Sequence, residues 1–314
     1  MTPDAPAGEI DVGGRRLAIR NLDRVIFPRT GTSKAELLDY YVRIADTMLP
    51  HLRERLLHMH LYPEGVTGPR FWQKGCPEHR PEWMPIAPVW SRDKGGTIDY
   101  CVVNELAALL WAVNIGSIEL HTSLHLRDEL HRPTALAFDL DPGEGVDLLH
   151  CCEVGLRLRE LLGGIGLATF PKTSGSKGLQ VYVPLNSEDA SYAVTKPASR
   201  AIAELLESDT PDAVVSRMAK RLRSDRVLVD WSQNTEHKSM VCAYSVRAKE
   251  RPTVSAPVAW DEVEAAVGAG DASGLVFEMG EMLERVAARG DLFEPVLTRR
   301  QSFDAVGGQL GAST

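Results

Sequence analysis

The run Thr134-Ala-Leu-Ala-Phe-Asp-Leu-Asp141, stopped by Pro142-Gly143, constrains the chain more than any other segment. Its apolar residues predict a buried strand, and the Pro-Gly pair predicts the turn that ends it. Side chains two apart on a strand share a face, so Asp139 and Asp141 project together from the strand end. Two close anions repel and are costly to remove from water unless a cation sits between them. Oxygen donors of this kind suit Mg²⁺ and Mn²⁺. An ordinary strand end running into a turn also uses aspartate, simply solvated. A third carboxylate tilts the balance. Asp230 closes the apolar run Val227-Leu-Val229 and predicts a second strand end of the same kind. Three such carboxylates make a two-metal site of the sort that serves phosphoryl or nucleotidyl transfer.

Other segments offer anion-binding groups. Lys172-Thr-Ser-Gly-Ser-Lys-Gly178 joins two predicted strands, about Leu167–Pro171 and Leu179–Pro184. Small residues let backbone N–H groups ring an anion, and Ser174, Ser176 and Lys177 add donors and charge. The segment lacks the G-x-x-x-x-G-K-[ST] pattern of a P-loop. His121 closes a predicted strand, Ile118–His121, and Arg247 could grip a phosphate bidentately. Phe71-Trp72, flanked by Arg70 and Lys74, pairs aromatics with bases, as stacking beside phosphate contacts requires. Arg217, Lys220, Arg221, Arg223 and Arg226 fall within ten residues, at and just beyond a helix predicted over about 211–222. On that helix, positions 217, 220/221 and 224 would share a face, as a phosphate-tracking stripe or a solvated surface.

The 314 residues carry 44% hydrophobic and 25% charged residues, values of a globular chain rather than a disordered, collagenous or coiled-coil one. No apolar run is long enough to span a membrane, and the start lacks the pattern of a secretory signal. Net charge is −8, which neither demands nor excludes nucleic acid, because nine acidic against two basic residues fall between Pro257 and Glu294. Five cysteines without C-x-x-C spacing predict reduced thiols in a cytosolic protein and no structural zinc.

A hairpin is predicted around Gly13-Gly14, and a capping box, Ser33 with Glu36, opens a helix to about Leu52. Loops with short strands fill 61–98, a helix spans about 104–114, and further helices cover about 146–162 and 196–207. After Pro257 the chain is acidic and helical. Helices and strands out of strict alternation predict an α+β fold.

Six separated motifs occur in one order: F-W-Q-K, I-E-L-H, F-D-L-D-P-G-E-G, T-S-G-S-K-G-L, V-D-W-S-Q-N and Y-S-V-R. This set resembles the polymerase domain of bacterial DNA ligase D, and stand-alone actinobacterial primase-polymerases associated with ligase C, in the archaeo-eukaryotic primase superfamily. The likeness covers most of residues 10–260. It implies a primase-like catalytic core around an RRM-like sheet with flanking helices. The whole of 1–314 would be one domain, with an acidic helical segment over about 257–314 packed on the core. The implied activity is templated nucleotide addition at gaps and double-strand breaks, preferring ribonucleotides, with two divalent ions, Mn²⁺ or Mg²⁺, and NTP or dNTP substrates. By position, Asp139, Asp141 and Asp230 match the metal-binding carboxylates. Ser174, Ser176, Lys177, His121 and Arg247 match triphosphate contacts, and Phe71 and Trp72 match an aromatic pair near the incoming base.

Arg24 and Lys34 fall where relatives bind a downstream 5′-phosphate, Arg223 near the primer terminus, and Lys74 joins these DNA contacts. Gln180 stands where many primase-like sequences have histidine. Arg24 stands where close relatives often have lysine, and His58-Met-His-Leu-Tyr-Pro-Glu64 replaces a more basic stretch. The implied partners are gapped or broken DNA, a separate ATP-dependent ligase (ligase C or D) and Ku. The implied setting is a monomer at the bacterial nucleoid, in the cytoplasm. Two other classes compete: a D-x-D glycosyltransferase, which leaves Ser174–Lys177 and Asp230 unexplained, and a non-catalytic DNA-end-binding module, which has no need of three strand-end carboxylates.

Overall fold

In the computed structural model, residues 8–302 are described. They form two compact units, each assembled from separated stretches of chain. The first takes residues up to Thr122, Tyr244–Val254 and Glu278–Gly290; the second takes Ser123–Ala243, Ser255–Phe277 and the stretch from Asp291 onward.

The second unit is built on a five-stranded sheet in the order Phe170–Thr173, Leu179–Pro184, Ala135–Pro142, Val227–Asp230, Val214–Val215. The first four strands run antiparallel, and the last is parallel to its neighbour. Alternation along the strands sorts the two faces. Leu136, Phe138, Leu140, Leu179, Val181, Val183, Val227 and Val229 join one buried apolar cluster with Cys151, Val154, Leu158 and Leu162 of the helix Leu148–Gly164. Gly155 lets that helix ride close, since a Cβ there would meet Leu179 Cδ2 at 2.7 Å. The intervening positions, Asp139, Asp141, Gln180 and Asp230, are left for the opposite face. The α+β expectation holds, and four of these strands are as expected, with shifted limits; Val214–Val215 is not.

The acidic tail segment is helical as expected: Trp260–Ala269, Met279–Arg289 and Glu294–Thr298. In the second unit Trp260 Nε1 donates to the Thr169 carbonyl at 2.8 Å, and the Phe293 ring meets Tyr182 edge-on at 5.1 Å.

The first unit holds the hairpin Gly8–Val12/Arg15–Ile19 and the helix Lys34–Leu52. Ser33 caps that helix through the expected reciprocal box with Glu36. Its sheet runs from the strand beginning at Ser117 through Arg55–Leu61 and Gly96–Cys101 to Ile86–Ser91, with Phe71–Gln73 paired to Arg55–Leu61. Tyr40 and Tyr41, both fully buried, bond the carbonyls of Tyr244 (2.7 Å) and Ile118 (2.9 Å), which ties the 244–254 segment to the helix.

Two expectations are overturned, and one expected strand is longer. No helix covers 211–222. After Pro211, the β-branched pair Val214-Val215 joins the sheet, and only Lys220–Leu222 makes a short 3₁₀ turn. The five bases therefore form no helical stripe: Arg217 pairs with Glu207 at 3.1 Å, and Arg223 donates to the Met218 carbonyl at 2.6 Å. The strand predicted over Ile118–His121 runs on through Ser117–Leu126. Cys76 and Cys101, expected as free thiols, form a disulfide with Cα atoms 4.8 Å apart. The Cys76 N–H donates to the Asp99 carbonyl at 2.6 Å, which draws it beside the strand carrying Cys101 into bonding range. Cys151, Cys152 and Cys242 are buried and free.

Candidate active site

Strand register places four polar residues in one row across the second unit's sheet. Lys172 stands opposite Gln180, Gln180 opposite Asp139, and Asp139 opposite Asp230. Residues directly opposite hold their Cβ atoms about 4.5–5.5 Å apart, so the row is continuous. Asp141 lies two residues from Asp139 on the same face. The sequence correctly marked the three aspartates as strand-end neighbours, and the structure brings them together.

Each member is fixed by its neighbours. Gln180 Nε2 donates to Asp139 Oδ1 at 2.9 Å. Lys172, wholly buried, donates to Gln180 Oε1 and to Ser255 Oγ, the latter at 2.6 Å. Asp230 Oδ1 accepts from the Ser232 N–H (2.8 Å) and hydroxyl (2.5 Å), and Oδ2 accepts from Gln233 Nε2 at 2.8 Å. Burial and the neighbouring Asp141 carboxylate push the Asp139 carboxyl up to about 7, with Asp230 adding to the effect and the Gln180 hydrogen bond opposing it. Three acids crowded on one face, with one buried lysine nearby, are an electrostatic deficit that a divalent cation would fill.

The 174–178 segment forms a stapled turn. Ser174 is buried, and its Oγ accepts from the N–H groups of Ser176 (3.2 Å) and Gly178 (3.1 Å). A Cβ on Gly178 would sit 2.2 Å from the Leu140 carbonyl oxygen, so only glycine permits the turn to lie against the aspartate strand. Ser174 thus shapes the loop, and Ser176 and the exposed Lys177 are its outward members. Gly143 has a similar duty at the Pro-Gly turn, where a Cβ would collide with the Arg223 carbonyl.

His121 and Arg247 belong to the first unit, where they gather around Glu119. Glu119 is 3% exposed. Its Oε2 lies 3.1 Å from His121 Nε2 and 3.1 Å from His60 Nδ1, while Oε1 accepts the Ala248 N–H at 3.0 Å and pairs with Arg247 at 3.2 Å. Burial raises the Glu119 carboxyl, but hydrogen bonds from His121 and His60 and the charge of Arg247 outweigh it and hold the group well below the usual carboxylate range. Burial is the main cause that brings His121 down to about 4, against the pull of Glu119. Phe71 and Trp72 are both exposed, 54% and 43%. Trp72 meets His60 edge-on at 4.0 Å and His121 at 5.2 Å. Lys74 is exposed on the same stretch.

Arg24 and Lys34 line one cavity of about 580 Å³ in the first unit, together with Arg16, Arg20 and His79. Lys34 is 8% exposed, and its ammonium donates to the Arg20 carbonyl and to both oxygens of Asn114 at 2.7–2.8 Å. Arg24 donates to the Pro63 carbonyl. Sequence reasoning missed Glu119, His60, Lys172, Arg16 and Arg20. The signal for Glu119 was present in I-E-L-H, because residues two apart on a strand share a face.

Comparison with known proteins identifies the family. The chain is 37% identical over 283 residues to the multifunctional non-homologous end joining protein LigD of Mycolicibacterium smegmatis, an alignment covering 90% of this chain and 36% of that protein. It is 38% identical over 288 residues to the LigD of Mycobacterium tuberculosis H37Rv, covering 89% of this chain and 37% of that one. The chain thus spans little more than a third of these relatives. Among solved structures it is similar to the polymerase domain of M. tuberculosis ligase D in complex with DNA, with a TM-score of 0.83 and 36% identity, covering 91% of this chain and 99% of that one. The model of the family described as LigD, primase-polymerase domain, matches residues 33–293. The glycosyltransferase reading falls with that match: the chain belongs to the LigD primase-polymerase family, a family of nucleotidyltransferases.

Proposed function

We propose that this protein extends primer ends on a template, with ribonucleotides preferred, at short gaps and broken DNA ends. The observation that carries this reading is the register that sets Asp139 directly opposite Asp230, with Asp141 on the same face. The donor set fits divalent ions: all-oxygen ligands in surplus negative charge, one of them with its carboxyl pushed up to about 7. Asp139, Asp141 and Asp230 would hold two such ions, Mn²⁺ in preference to Mg²⁺, which supply Lewis acidity and charge neutralisation for nucleotidyl transfer.

The remaining work falls to the chain's own groups. Gln180 fixes the Asp139 carboxylate, and Lys172 fixes Gln180. Ser176 and Lys177 offer a donor and a charge to triphosphate oxygens, on a turn stiffened by Ser174. His121 and Arg247 hold phosphate oxygens, with Glu119 orienting both. Phe71 and Trp72 give exposed ring faces for stacking near the incoming base. Arg24, with Arg16 and Arg20, meets a downstream 5′-phosphate, and Lys34 braces that cavity while adding its charge. Arg223 and Lys74 touch the DNA strands. Template pairing supplies sequence choice, so base-edge readers are not needed.

The biological setting we propose is DNA repair at the bacterial nucleoid, by end joining or excision-repair gap filling. A separate ATP-dependent ligase would seal the product, and Ku would present broken ends. Among the described residues no helix is long and apolar enough to cross a membrane. The test is incorporation on gapped duplexes with NTPs or dNTPs, Mn²⁺ or Mg²⁺, with and without a 5′-phosphate. The reading predicts templated products, more from NTPs than from dNTPs, and stimulation by the phosphate that Arg24→Ala abolishes.

A further inference from the structure

The geometry points to a second metal site in the first unit, formed by His60 Nδ1, Glu119 Oε2 and His121 Nε2, that takes a Zn²⁺-class ion. The three ligand atoms lie within 4.8 Å of one another, and Oε2 is 3.1 Å from each nitrogen. A tetrahedral ion with bonds of about 2.0–2.2 Å keeps its ligand atoms about 3.3–3.5 Å apart. The cluster therefore needs adjustments of only tenths of an ångström at those two contacts.

Three features distinguish it from a chance meeting of side chains. Glu119 is 3% exposed, and its second oxygen is taken by the Ala248 N–H and by Arg247, so the carboxylate is held with Oε2 toward the histidines. Outer partners of this sort orient a metal-binding carboxylate. His60 and His121 are adjacent across the sheet, with ring centroids 5.1 Å apart, and Trp72 packs on both. His60 is the most exposed of the three side chains at 32%, which gives an ion a route in and leaves a position for water or an anion.

The donor chemistry separates this site from the aspartates. Two imidazoles and one carboxylate select zinc, nickel, cobalt or copper, whereas carboxylates alone select magnesium and manganese. An ion here would occupy His121 Nε2. It would leave Nδ1 as the His121 donor for the phosphate contact proposed above, and this last consequence alone rests on the polymerase reading.

The test uses full-length protein carrying Asp139→Asn and Asp141→Asn, stripped with chelator and titrated with Co²⁺ and Zn²⁺. The expected result is one equivalent bound, a visible Co²⁺ band of imidazole and carboxylate ligation that Zn²⁺ displaces, and quenching of part of the tryptophan emission through Trp72. His60→Gln in that background, checked by circular dichroism, should weaken binding by more than the roughly 10–100-fold that loss of an outer-shell partner costs. Glu119→Gln should do the same. If Co²⁺ binds the His60→Gln protein as tightly and with the same spectrum, or does not bind the parent, the three residues are a hydrogen-bonded trio only and the proposal fails.

Discussion

Gln180 donates its side-chain amide to Asp139 across an antiparallel strand pair at 2.9 Å. The same amide accepts from the wholly buried Lys172, so one neutral side chain couples a cation to the acid most in need of compensation. Gln180→Met removes both bonds at nearly constant volume. The Asp139 carboxyl should then rise further, and metal affinity at pH 7 should fall about tenfold for each unit of that rise. Gln180→His retains a donor and should recover much of the loss. Calorimetric titration of Mn²⁺ into the three proteins checks both.

With Asp139 as a metal ligand, as proposed, metal and proton compete for it. Its carboxyl is pushed up to about 7, first by burial and then by Asp141, so below that pH an incoming ion must displace a proton. Metal affinity should climb with pH, up to tenfold per unit, and level off above about 7. In the metal-free protein a raised folded pKa means that the folded state binds the proton more tightly than the unfolded chain. Stability should therefore fall as pH rises from the ordinary carboxylate range toward 7. Asp139→Asn should flatten this dependence and raise the metal-free melting temperature at pH 8. Melting curves across pH, with and without Mn²⁺, read both effects.

The turn that carries Ser176 and Lys177 rests on glycine at 178. An added Cβ would lie 2.2 Å from the Leu140 carbonyl oxygen, on the strand that bears Asp139 and Asp141. Gly178→Ala should cost roughly 1–3 kcal/mol through forced backbone displacement. It should also lower activity more than Ser176→Ala does, because the strand shifts with the turn. Urea denaturation and single-turnover incorporation measure the two effects separately.

The Cys76–Cys101 bridge closes a segment of 25 residues, with the loop after Phe71-Trp72-Gln73 at one end. Closing a loop of that length is worth about 3.5 kcal/mol in the chain-entropy account. Reduction, or Cys76→Ser, should lower stability by that order. Cys76→Ser should be insensitive to reductant, whereas Cys242→Ser, at a buried free thiol, keeps the bridge and should respond to reductant as the parent does. Comparing denaturation with and without reductant decides it.

Much of the candidate site was legible because a strand's two-residue period is simple. Asp139, Asp141 and Asp230 each end an apolar run, and no long-range knowledge is needed to see that such carboxylates are costly. What the sequence could not show was register. Lys172 read as the first residue of a loop, yet it lies inside the strand Phe170–Thr173 and directly opposite Gln180. Glu119 was visible in I-E-L-H, but its partners His60 and Arg247 come from distant stretches that only the fold gathers. The missing helix over 211–222 failed for the opposite reason. Bases at helical spacing outweighed the local signal of Pro211 and Val214-Val215, which the sheet uses for its last strand. The disulfide was hidden because neither cysteine count nor spacing reports that Cys76 bonds to Asp99 beside Cys101.

The central claim is that Asp139, Asp141 and Asp230 together hold the ions for templated nucleotidyl transfer. The most direct measurement is single-turnover incorporation into a one- to three-nucleotide gapped duplex with Mn²⁺, for the parent and for Asp139→Ala, with folding and DNA binding verified for both. The account predicts templated extension by the parent and none above background by the variant, with DNA binding equal or tighter because negative charge is removed. Full incorporation by Asp139→Ala would contradict the site assignment. No incorporation by the parent under any metal or nucleotide would contradict the polymerase reading and leave a module that binds DNA ends without extending them.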